Sequence, residues 1–249
     1  MRRGFLLAGG LILLAFLFGL SAGRAGAEPG KLDISIICNG AFLHEYGFQT
    51  DESCLKHATA VRDYLLTREP YKSRMSDITW HLTRSNSSLG CKFSGRLLTC
   101  SDSAGKAILA NRGIPMEKGI ILVNTTNYGG SGGYRFAVAS VGSYRNKLAM
   151  HEFGHTLGAL VDEYPRFSGT FTNQDTWYGQ CWKGLNPPPG YAVGEWVLGA
   201  EYKQLWRQRI KDSSGNWRNS IMKEMGYPVY GSKSLEMLNE RIDHWVATP

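Results

Sequence analysis

The chain has 249 residues and a formal net charge of +7, with 43% hydrophobic and 20% charged residues. That length suffices for one domain with a substantial core. No stretch concentrates Lys or Arg on one face, which excludes a nucleic-acid partner. At the N-terminus, the basic start Met1–Arg3, the apolar run Phe5–Leu20 and small residues at Ala25 and Ala27 predict a signal peptide over residues 1–27, cleaved before Glu28. The run is shorter than the ~20 residues of a spanning helix, so no stable membrane insertion of the mature chain is expected; the alternative is an uncleaved anchor. Arg2, Arg3 and Arg24 leave with the signal, which lowers 28 basic residues to 25 against 21 acidic ones, a net +4. A secreted or periplasmic protein is expected.

Export permits disulfides. Cys91 and Cys100 flank a predicted hairpin turning at Ser94-Gly95, and Cys38 and Cys54 close a second local loop. Both pairs are expected to be bonded, with Cys181 left over. Leu32–Cys38 reads as a buried strand. Residues 51–68 place Leu55, Ala58, Val61 and Leu65 at helical spacing, and residues 77–83 alternate Ile78, Trp80 and Leu82 as a strand. A strand–helix–strand unit favours a parallel pair. A second helix is predicted from Asp102 to Arg112, ended by Gly113, and a further buried strand over Gly119–Asn124.

The segment "NTTNYGGSGGYR" is too glycine-rich for a regular element and lacks the Lys-Ser/Thr of a phosphate-binding loop, so it reads as a flexible turn bordering a cleft. A short strand over residues 135–140 follows. A helix is then expected from a cap near Ser143 to about Gly158. Residues 165–200 read as a long irregular loop whose Trp177, Trp182 and Trp196 either shape a cleft or pack inside. Helices are expected over Glu201–Ile210 and around Leu235, Leu238, Ile242 and Trp245.

The chemistry lies in "HEFGHTLGALVDEY", residues 151–164. Residues four apart share a helical face, so His151 and His155 can offer imidazole nitrogens to one ion. Three protein ligands plus water is the usual catalytic zinc arrangement. Glu152 is placed to reach that water rather than the metal, as a general base. The third ligand cannot come from a continued helix, because seven residues span about 10 Å along the axis. The helix must break, and Gly158 is the residue that can break it. Asp162 then completes the metal set, with Glu163 as the alternative. His44, His57, His81 and His244 read as ordinary surface or core histidines.

The arrangement H-E-x-G-H-x-x-G resembles the metzincin clan of zinc endopeptidases. The clan's third ligand follows the glycine by three residues, here Val161, so Asp162 stands one residue further on. "NSIMKEM" (Asn219–Met225) resembles the clan's methionine turn, with Met222 in the key place. Glu224 stands where some members have a tyrosine, and Tyr227 or Tyr230 is left to supply a hydroxyl. Closer still is the IgA-peptidase family of metallopeptidases: "ILVNTTNYGGSGG", "HEFGHTLGALVDEY" and "REPYKSRMSDITWHLTRSNSSLGC" resemble its segments. At residues 38–48 "CNGAFLHEYGF" departs from that family's Gly-Asp-Gly-Tyr type of turn.

These readings converge on an α/β fold, metzincin-like, with a mixed twisted sheet, an active-site helix and a smaller C-terminal part. Residues 28–249 form one catalytic domain, 28–158 the N-terminal part and 159–249 the part carrying the methionine turn. The expected function is a secreted zinc endopeptidase acting on protein or peptide substrates. By position and resemblance, the strand over residues 135–140 becomes the edge that pairs with an extended peptide. The rivals are a catalytically weak surface or carbohydrate-binding protein on a peptidase scaffold, and a structural zinc protein with four protein ligands.

Overall fold

The structure is a computed structural model. It describes residues 30–40, 51–163, 176–178, 180–183, 188–190, 195–198 and 205–248. The expected signal peptide over residues 1–27, the departing 41–48 segment with His44, and most of residues 165–200 lie outside these. In chain order the elements are β1 (Leu32–Asn39), α1 (Asp51–Leu66), β2 (Ile78–Ser85), β3 (Lys92–Ser94), β4 (Leu97–Thr99), α2 (Asp102–Ala110), β5 (Lys118–Val123), β6 (Gly130–Gly132), β7 (Phe136–Ser140) and α3 (Arg145–Gly158). There follow β8 (Thr176–Tyr178), β9 (Cys181–Lys183), β10 (Trp196–Leu198), β11 (Leu205–Lys211), β12 (Trp217–Asn219) and α4 (Ser232–Ala247).

Seven strands form a mixed sheet in the order β2-β1-β5-β7-β6-β4-β3. Strands β2, β1, β5 and β7 run parallel, as the strand–helix–strand reading requires, and β6 returns antiparallel to β7. Alternation along the central strands feeds two cores. Ile34, Ile36, Ile120, Leu122, Ala137 and Ala139 pack against α1, α3 and α4. Ile37, Ile121, Val123, Phe136 and Val138 face the opposite side with Leu109 of α2. Burying each of the Ile, Leu, Val and Phe side chains among them contributes about 1.5–3 kcal/mol, which is why short β-branched runs suffice for the central strands. The α/β class with a mixed sheet is therefore as read from the sequence.

Both disulfides are formed. Cys38–Cys54 ties β1 to α1, and Cys91–Cys100 closes the β3–β4 hairpin, while Cys181 is free and buried. Gly95 takes a left-handed φ of 60° at the expected turn.

Four expectations about strands and sheets fail. The strand over residues 136–140 is not an edge but lies between β5 and β6. Part of the glycine segment is itself a strand, β6, and not a flexible turn. The glycines are there for contact: α3 rests on β6 and β7, a Cβ on Gly132 would overlap the Cβ of His155, and one on Gly130 would sit 2.7 Å from Glu152 Oε1. Glu201–Ile210 is not a helix; its described part is β11, the centre of a second, antiparallel sheet in the order β10-β11-β9-β8, with β12 on β11. The same sheet takes up pieces of the presumed irregular loop: Trp177 and Trp182 stand opposite each other on β8 and β9, and Trp196 is buried in β10.

Candidate metal centre

Helix α3 is buried along nearly its whole length from Leu148 to Gly158, with His155 the partly exposed exception. It begins at Arg145 after Tyr144, without the side-chain cap expected of Ser143. At its other end the left-handed residue is Ala159, φ 51°, and not Gly158. Gly158 is small for another reason: a Cβ there would meet Leu238 Cδ2 of α4 at 2.9 Å. The chain nevertheless reverses after α3, with the Ala159 N–H donating to the Gly154 carbonyl.

The reversal brings three donors together. His151 Nε2 and His155 Nε2 are 3.3 Å apart, and Asp162 Oδ1 lies 3.2 Å from each. Each imidazole is oriented from behind: His151 Nδ1 donates to the Ile221 carbonyl at 2.9 Å and His155 Nδ1 to the Leu160 carbonyl at 2.6 Å. A carbonyl only accepts, so each Nδ1 carries the proton and both Nε2 lone pairs face the carboxylate. Three electron-pair donors at that spacing call for a cation between them. A tetrahedral zinc with bonds of about 2.0–2.1 Å separates its ligands by roughly 3.3–3.4 Å, so the donor set fits the ion. Burial opposes charge on His151, but Asp162, then Glu152 and the Ile221 carbonyl, outweigh it and raise its pKa. Burial likewise opposes charge on Asp162, and the two imidazoles overcome it to hold the carboxyl well below its usual range. Among the described residues this is the one group of three or more His, Cys, Asp or Glu side chains placed to share an ion.

Glu163 points elsewhere. It is buried, its Oε2 accepting from Ser220 Oγ at 2.6 Å and its Oε1 from Gln180 Nε2 at 3.3 Å. Burial raises its pKa against those two hydrogen bonds. Beneath α3, Met222 is fully buried, and a Cβ on Gly154 would come within 3.0 Å of its sulfur. The preceding residue of the same turn, Ile221, supplies the carbonyl that orients His151. Tyr230 is turned into the core, its hydroxyl donating to the Met150 carbonyl, and Tyr227 lies in the turn beyond Met222.

Glu152 opens on the cleft. A cavity of about 300 Å³ beside it is lined by Tyr128, Leu148, His151, Glu152, Ile221 and Met225 among others. A second of about 380 Å³ reaches His155 and Asp162, and the two share Leu97, Gly130, His151 and Glu152. Tyr128, unnoticed in the sequence because it sits inside the glycine segment, is the tyrosine of this cleft; burial and then the Glu152 charge raise its pKa. His57 instead pairs with Arg145, His81 with Asp33 at 2.7 Å, and His244 stacks edge-on with Trp245, all away from the centre.

A mixed α/β fold carrying a His-Glu-x-x-His helix, a converging carboxylate and an open cleft has the parts that a metallopeptidase needs. Within that class, the sequence model of the IgA Peptidase M64 family matches residues 81–180, from β2 to the turn before β9, and bears out the resemblance drawn above. The match supports a zinc peptidase. Fourteen chains of solved structures also match. Archaemetzincin from Methanopyrus kandleri is one, at 13% identity and a TM-score of 0.33, covering 55% of this chain and 78% of that one. No curated protein matches the chain.

Proposed function

We propose that this chain is an exported zinc endopeptidase, metzincin-like, built as one catalytic domain over residues 28–249. The observation that carries the reading is the convergence of His151 Nε2, His155 Nε2 and Asp162 Oδ1 on one point, with Glu152 beside it on an open cleft. His151, His155 and Asp162 would hold the metal. When bound, zinc lowers the pKa of water to about 7 and polarises a carbonyl oxygen. Glu152 takes the proton from the attacking water and returns it to the leaving amine, in the manner of a general base turned general acid. The backbone carbonyls of Ile221 and Leu160 keep both Nε2 atoms aimed at the ion throughout.

Cleavage inside a chain, rather than at its end, is supported by the two cavities that meet at Leu97, Gly130, His151 and Glu152. Export is supported by the two disulfides, which persist in oxidising compartments, and by the apolar N-terminal run. No helix among the described residues is long and apolar enough to cross a membrane. The test is cleavage of a proteome-derived peptide mixture with and without chelator. The reading expects internal cuts that vanish with chelator and return with zinc. Cutting that persists without metal, or zinc binding without cutting, would overturn it.

A further inference from the structure

Asp162 sits in the loop that follows α3, and that loop is fixed by side chains from two distant segments. Gln180, in the turn before β9, is buried and grips both backbone groups of Val161: its Oε1 accepts the Val161 N–H at 2.9 Å and its Nε2 donates to the Val161 carbonyl at 2.6 Å. The same Nε2 lies 3.3 Å from Glu163 Oε1. Ser220, just ahead of Met222, is fully buried and donates to Glu163 Oε2, and the Glu163 N–H donates to the Met222 carbonyl at 3.0 Å. The residues immediately before and after Asp162 are thus both anchored, with Asp162 the one between them that faces the histidines.

We infer that Gln180, Glu163 and Ser220 form a clamp that positions Asp162 for the metal, so the small antiparallel sheet serves the metal centre directly. The inference rests on the ligand set proposed above. Two fixed neighbours leave the Asp162 backbone one conformation, which removes the ordering cost that a free loop would meet when zinc binds. Glu163 acts here through its hydrogen bonds and not as a ligand. These are positioning residues: none of them lines the two cavities described.

Zinc affinity, measured by competition with a chromophoric chelator, tests this in Gln180→Ala, Ser220→Ala, Ser220→Thr and Asp162→Ala. Removing a residue that orients a ligand costs about 10–100-fold in metal affinity. Gln180→Ala and Ser220→Ala should each show that loss, and Ser220→Thr, which keeps the hydroxyl, should recover most of it. Cobalt(II) absorption of the two Ala variants should shift relative to the wild type, which general destabilisation of a folded protein would not produce. Apo-protein melting identifies a variant that fails to fold, in which case the Ser220 pair decides. Wild-type affinity in both Ala variants, with Asp162→Ala losing zinc, overturns the clamp alone. Wild-type affinity in Asp162→Ala overturns the ligand set beneath it.

Discussion

His151 and His155 owe their mutual position to one turn of α3, whereas Asp162 owes its own to Gln180, Ser220 and Met222, the nearest of them eighteen residues away. Backbone hydrogen bonds of a helix fix two side chains four apart at no extra cost. A ligand on a loop needs partners from elsewhere, each placed by its own element. The helix half of the centre is therefore rigid because of what it is, and the loop half because of what surrounds it. Substitutions that act on one half and not the other separate the two.

The largest expected effect lies on the helix half. Glu152→Gln should keep the fold and bound zinc, because both imidazoles and their carbonyl partners are untouched, while peptide cleavage falls by about 10²–10⁴-fold or more. Activity above a few per cent of wild type in a zinc-loaded Glu152→Gln protein would remove Glu152 from its role.

Gly132→Ala attacks the platform under the helix. Its new Cβ would overlap that of His155, so β6 and α3 must separate. Overpacking of this kind costs about 1–3 kcal/mol, read as a lowered melting temperature, and should weaken zinc as well because His155 moves. An unchanged melting curve would show that α3 does not rest on β6 as described.

Removing zinc sharpens the contrast. Hydrogen exchange in the apo-protein should rise over residues 159–163 more than over 145–158, since the helix keeps its own ladder and its core contacts. Equal rises in both segments would mean that the two halves are one cooperative unit.

Much of this was legible in the sequence, and the failures share one cause. Leu32–Asn39, Lys118–Val123 and α1 announce themselves because burial imprints a period within a few residues. The His151–Glu152–His155 set is legible for the same reason: spacing on a helix is geometry. β6 carries only Gly-Ser-Gly, a single side chain with none to alternate against, so its pairing, and with it the interior place of β7, left no local mark. β11 pairs with β9, β10 and β12, and the aromatic and aliphatic residues of "EYKQLWRQRI" fit a helical spacing equally well. Gln180 and Ser220 could not be found at all, because a clamp between residues 17 and 57 positions from Glu163 has no spacing to recognise.

The smallest effect concerns the seam between α1 and α3. His57 of α1 pairs with Arg145 at the start of α3, and burial, then the charges of Arg145 and Lys56, lower its pKa from 6.5. A depressed histidine pKa means that the neutral form is the one the fold accepts. The associated stability is present above about pH 6.5 and is lost as pH falls through the lower, folded value. Melting temperature should therefore drop on acidification below 6.5 by more in the wild type than in His57→Gln. Parallel drops in the two proteins would show that this seam does not titrate.

The account stands most directly on which atoms hold the metal, and zinc K-edge absorption spectroscopy of the loaded wild type and of Asp162→Ala reads them. It predicts two imidazole nitrogens at about 2.0–2.1 Å with the remaining shell oxygen in the wild type. In Asp162→Ala it predicts zinc lost, or held more weakly by the same two imidazoles. A third imidazole, a sulfur ligand, or a shell unchanged in Asp162→Ala would contradict it.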